Sequence, residues 1–78
     1  MLPRLQTGEN KVMKILLNGA PRDIEPGTCV TALLLREGLA ERRVAVEVNG
    51  GIVPRGLHVE HALHEGDRVE IVHALGGG

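Results

Sequence analysis

The stretch Met13-Lys-Ile-Leu-Leu-Asn-Gly-Ala-Pro-Arg-Asp-Ile-Glu25 decides how this 78-residue chain folds. Met13 to Leu17 is apolar on both faces, the pattern of a central strand in contact with parallel neighbours. Asn18-Gly19 is a strong hairpin signal, because the favoured two-residue turn needs positive φ at both central positions. Pro21 to Glu25 then returns as a short second strand, with Pro21 at its start or on a free edge, since proline has no N–H for a ladder. Upstream, Met1 to Val12 mixes polar residues with Pro3 and Gly8 and shows a period of neither 2 nor 3.6, so residues 1–12 read as a flexible extension.

Downstream, Pro26-Gly27-Thr28 breaks the strand, and Thr28 is the predicted cap of a helix. Val30, Leu33, Leu34 and Glu37 form an i, i+3, i+4, i+7 stripe facing a sheet, and Gly38 suits the helix C-terminus. Arg43 to Val48 alternates with Val44, Val46 and Val48 on one side, and Asn49-Gly50-Gly51 turns it. Ile52-Val53-Pro54 is a stub of strand, Arg55 to His64 is irregular or one helical turn, and Glu65-Gly66-Asp67 is a further turn. Arg68 to Val72 alternates again with Val69 and Ile71 inward. This order, with one helix to cover one face, predicts an α+β chain of the β-grasp, or ubiquitin-like, fold. The expected domain spans 13–75, a mixed sheet of four to five strands with the first and last side by side and parallel.

Composition removes several classes of function. Phe, Tyr and Trp are absent, so there is no stacking platform for bases, and with a formal net charge of -1 this argues against nucleic acid as the main partner. The single cysteine, Cys29, can form neither an intrachain disulfide nor a multi-cysteine zinc site, which fits a reducing, cytoplasmic setting. No apolar run is long enough to span a bilayer, and Met1 to Val12 lacks the continuous apolar core of a secretory signal.

After Val72 the chain reads His73-Ala-Leu-Gly-Gly-Gly78. Gly76, Gly77 and Gly78 resist ordering, because glycine loses the most backbone entropy on folding, and residues 76–78 read as a functional tail. Having no Cβ, they suit a narrow channel on another protein, with the Gly78 carboxylate as the working group. Val44-Ala-Val-Glu-Val-Asn-Gly-Gly-Ile-Val-Pro-Arg55, Glu65-Gly-Asp-Arg-Val-Glu-Ile-Val72 and the terminal glycines together resemble the ThiS family of sulfur carriers of thiazole and thiamine biosynthesis. The resemblance covers Met13 to Gly78, and the first twelve residues depart from it. It implies that Gly78 is adenylated by a ThiF-like enzyme using ATP and becomes a thiocarboxylate. Sulfur would come from a donor such as a cysteine desulfurase and pass to a ThiG-like thiazole synthase. The carrier would then be a co-substrate rather than an enzyme, with no stably bound cofactor, and no processing protease is implied.

By strand alternation Leu16 and Val72 point away from the helix, and parallel neighbouring strands are expected to bring them together with Ala74 and Leu75 as a docking face. Other groups have competing readings. His58, His61 and His64 mimic a metal site at spacings of three, but no carboxylate spacing supports one, so no metal is expected. Cys29 at the helix start could be a nucleophile, although a small buried helix residue is the simpler role. Arg42-Arg43 beside Arg55 reads equally as a docking patch or a solvated rim. The alternatives to this carrier are a MoaD-like or other carrier, a ubiquitin-like modifier, or an interaction module with an inert tail.

Overall fold

Both Asn-Gly pairs build the turns expected of them, and these turns set the frame of the sheet. The computed structural model of the chain describes residues 12–73. Strand β1 (Met13–Leu17) pairs antiparallel with β2 (Ala20–Ile24), and Asn18 and Gly19 between them have φ of 51° and 87°. Strand β3 (Val44–Val48) pairs the same way with β4 (Gly51–Val53) through Asn49 and Gly50, at 53° and 88°. Positive φ at both positions matches the right-handed twist of the flanking strands, which is why Asn-Gly closes both hairpins. The last strand, β5 (Arg68–His73), lies between the hairpins, parallel to β1 and antiparallel to β3, and the order is β2-β1-β5-β3-β4. Pro21 therefore sits on an edge strand, near its start.

Helix α1 (Val30–Arg36) buries Val30, Leu33 and Leu34. They pack with Ile15, Leu17, Ile24, Val44, Val46, Leu63, Val69 and Ile71 in an aliphatic core. Glu37, at the polar end of the predicted stripe, instead pairs with Arg22. The helix ends as Gly38 predicts: at φ of 78°, Gly38 N–H bonds the Leu35 carbonyl at 3.1 Å and Leu39 N–H bonds Leu34 at 2.8 Å. This is the paired closure that a left-handed glycine permits, with Leu39 returning to the core.

The helix start corrects the sequence reading. Its cap is Cys29, without a side-chain hydrogen bond, while the Thr28 hydroxyl donates to the Glu25 carbonyl at 2.6 Å. The helix needs no side-chain cap there, because the Val30 and Thr31 N–H groups bond the carbonyls of His61 and His58 at 3.0 and 3.1 Å. The stretch after β4, with a single 3-10 turn at Arg55–Leu57, is thus a backbone acceptor for the helix.

Candidate functional site

Strand β5 carries the chain to its last residues, and two asparagine side chains hold it. Asn18 N–H bonds the Val69 carbonyl at 2.8 Å, and the Asn18 Oδ1 accepts the Ile71 N–H, also at 2.8 Å, from 53 residues away. Strand β1 has already turned at this point, so the side chain supplies a ladder rung that its backbone cannot. At the start of β5, Asn49 Oδ1 accepts from Arg68 N–H at 2.9 Å and Asn49 Nδ2 donates to Asp67 at 3.0 Å. The turn asparagines thus both shape the hairpins and fasten the strand between them. Sequence reading recognised them only as turn formers, because their partners are distant in the chain.

The helix covers one face of the sheet and the other is open. Register places Pro21 and Asp23 of β2, Lys14 and Leu16 of β1, Arg68, Glu70 and Val72 of β5, Ala45 and Glu47 of β3 and Ile52 of β4 on the open side. Leu16 and Val72 are both exposed there, at 37% and 57%. They are not neighbours. Leu16 pairs with Arg68, whereas Val72 lies four residues further along β5, about 13 Å at roughly 3.3 Å per residue. Val72 stands opposite Ala45, and Leu16 stands between Pro21 and Arg68. Charged Glu70 and Glu47 face each other between these apolar spots. Ile52, 60% exposed on β4, is a third spot that strand alternation against buried Val53 could have revealed. At the β2 side, Asp23 holds the Lys14 ammonium above its ordinary pKa, first through a 2.8 Å hydrogen bond and then through its charge.

Ala74, Leu75, Gly76, Gly77 and Gly78 lie outside the described residues, as do residues 1–11. The nearest described position is His73, which pairs with Val44 at the start of β3. Arg42 and Arg43 precede Val44, and together with Arg55 they line one open groove of about 440 Å³ beside Leu34 and His58. The three arginines singled out in the sequence thus converge at the end of the sheet where β5 stops.

The histidines do not converge on a metal. His58 is buried with Nε2 3.0 Å from the Val53 carbonyl oxygen, which accepts, so Nε2 carries the proton. His61 is half-buried and His64 exposed, and among the described residues no group of three or more His, Cys, Asp or Glu could hold a metal ion. Cys29 is a half-buried free thiol at the helix cap, bridged through its backbone to Ala62, rather than a buried residue inside the helix. No helix of the described residues is long and apolar enough to cross a membrane.

Two hairpins flanking a central last strand, one helix across one face, and a glycine-rich end define a β-grasp protein of the ubiquitin-like class. A model of the ThiS family matches residues 15–78. The crystal structure of the thiamine biosynthesis protein ThiS from Geobacter metallireducens shares the fold with a TM-score of 0.75 at 32% identity, over 85% of this chain and all of that one. The chain is also 47% identical over 66 residues to a thiazole synthase of Magnetococcus marinus, and 42% identical over 66 residues to one of Paramagnetospirillum magneticum. Each of these matches takes in 85% of this chain, which spans about a fifth of the length of either relative (20%). The chain belongs to the ThiS family.

Proposed function

We propose that the chain is a sulfur carrier of thiamine biosynthesis whose Gly78 carboxylate is adenylated, converted to a thiocarboxylate and used to deliver sulfur to a thiazole synthase. The observation that carries the reading is the family match, which runs unbroken to Gly78. An α-carboxyl with an ordinary pKa of about 3.3 to 3.7 is ionised at neutral pH and is a poor electrophile without a leaving group. Activation therefore has to come from a ThiF-like partner. A carboxylate oxygen attacks the α-phosphorus of ATP and pyrophosphate leaves; a sulfur nucleophile then attacks the acyl carbon and AMP leaves, so one oxygen is exchanged for sulfur. On this reading the domain supplies no acid, base or metal and is a co-substrate, and a cysteine desulfurase is the kind of donor that would supply the sulfur as a persulfide, with a thiol reductant cleaving the resulting acyl disulfide to the thiocarboxylate. The similarity to a segment of two thiazole synthases supports an acceptor of that class.

Docking falls to the open face, with Val72 and its register partner Ala45 as one contact, Ala74 and Leu75, which follow in sequence, as expected further contacts, and Leu16 as a separate, more distant one. Residues 1–12 are outside the family match and are dispensable to it. The test is intact-protein mass spectrometry after incubation with ATP, magnesium, a ThiF-like enzyme and a sulfur source. An acyl-adenylate followed by exchange of one oxygen for sulfur is expected. Deleting Gly77 and Gly78 should abolish both, and Gly77→Val should impair them, because a β-branched side chain restricts and widens the tail. A mass that never shifts, or shifts equally in the deletion variant, overturns the reading.

A further inference from the structure

The arginine groove lies on the helix side of the sheet, so it is distinct from the open face. Arg42, Arg43 and Arg55 are all exposed. Among the described residues none of their side chains forms an ion pair or a hydrogen bond, whereas Arg22, at the far edge, is paired with Glu37. Among the described residues Glu41 is the one acidic side chain on the groove wall, against three arginines, although the chain as a whole is at -1. Leu34 and Val44 give it an apolar wall, and Val44 is the register partner of His73. The groove thus adjoins the last described residue before the tail.

From this placement we infer that the groove docks a carboxylate-bearing segment of the partner protein that receives the tail. The fit rests on charge complementarity: three exposed guanidiniums can each take a carboxylate with two parallel hydrogen bonds, which an ammonium cannot. Its site beside β5 puts this contact next to His73, the last described residue before the tail, while the open face supplies apolar contact from the other side. Rim charges of this kind act mainly on encounter rate and salt dependence. The inference rests on the carrier reading for the identity of its partner.

The test uses the full chain and a ThiF-like adenylating enzyme. Association rate and Kd are measured across ionic strength for the wild type and for a chain carrying Arg42→Glu, Arg43→Glu and Arg55→Glu. The reversed chain is expected to associate at least about tenfold more slowly at low salt and to lose the wild-type decline with salt. It should still form the acyl-adenylate when the enzyme is saturating, because the tail is intact. The milder Arg→Gln set at the same positions carries the test should the reversed chain fail to fold. Unchanged association in a folded variant, with wild-type product forming, overturns the groove inference alone. No binding and no product with the wild type overturns the carrier reading and this inference with it. A titration with pyrophosphate that saturates at micromolar concentration, with amide shifts confined to the groove, would assign it to a small anion and overturn protein docking.

Discussion

The two faces of the sheet are built from alternate residues of the same strands, yet they obey different rules. On the helix side Ile15, Val46 and Val69 are at most 1% exposed, and the buried positions of all five strands are aliphatic. On the open side aliphatic and charged residues mix, and Glu47 faces Glu70 across neighbouring strands, an arrangement that costs stability. One face is selected for burial. The other is left to solvent, where exposed charges and isolated aliphatic side chains sit side by side.

The contrast is broken most severely from inside. Leu33→Ala removes a fully buried side chain and is expected to cost about 2 to 5 kcal/mol. A folded unit of this size has roughly 3 to 9 kcal/mol in total. A urea titration followed by far-ultraviolet circular dichroism should show the midpoint collapse toward zero denaturant, and a shift within error would mean that α1 does not anchor the core. Asn18→Ala acts at the border between faces. It puts a Cβ-bearing residue without a local hydrogen bond at φ of 51° and orphans the part-buried Ile71 N–H. Together these should cost about 1 to 3 kcal/mol. Asn18→Asp keeps the acceptor and should recover much of the loss, and equal losses would remove the Ile71 rung from the account.

Changes on the open face should leave stability alone and act on binding. Val72→Asp is expected to keep the urea midpoint while weakening the adenylating enzyme roughly tenfold or more. Seating an unpaired carboxylate against an apolar contact costs more than the about 1.4 kcal/mol that a decade represents. Leu16→Asp, about 13 Å from Val72, should weaken it less; the reverse ranking would move the docking surface to the β1 end. Lys14→Ala should be the mildest. The Lys14 pKa is raised, so its pairing with Asp23 contributes below the ordinary lysine value and is lost only as the pH rises through the raised one. Both groups are exposed and screened, so stability between pH 5 and pH 8 should match that of the wild type.

The element order, the two Asn-Gly turns, the inward sets of β3 and β5 and the glycine closure of α1 were all legible in the chain. Each is a local matter of periodicity, φ preference or a missing Cβ, settled within a few residues. The resemblance that points to Gly78 is equally a property of sequence. Tertiary structure alone decided the offset of β1 against β5, because the period of 2 that assigns a residue to a face is indifferent to sliding by an even number of residues. That offset separated Leu16 from Val72 and left the Asn18 side chain beside the Ile71 N–H. The same long-range packing gave the helix its acceptors at His58 and His61 in place of Thr28, and brought Arg42, Arg43 and Arg55 into one groove. Local chemistry writes the strands and turns, but contacts between residues thirty or fifty apart depend on how the hairpins close around β5, which no short window of sequence contains.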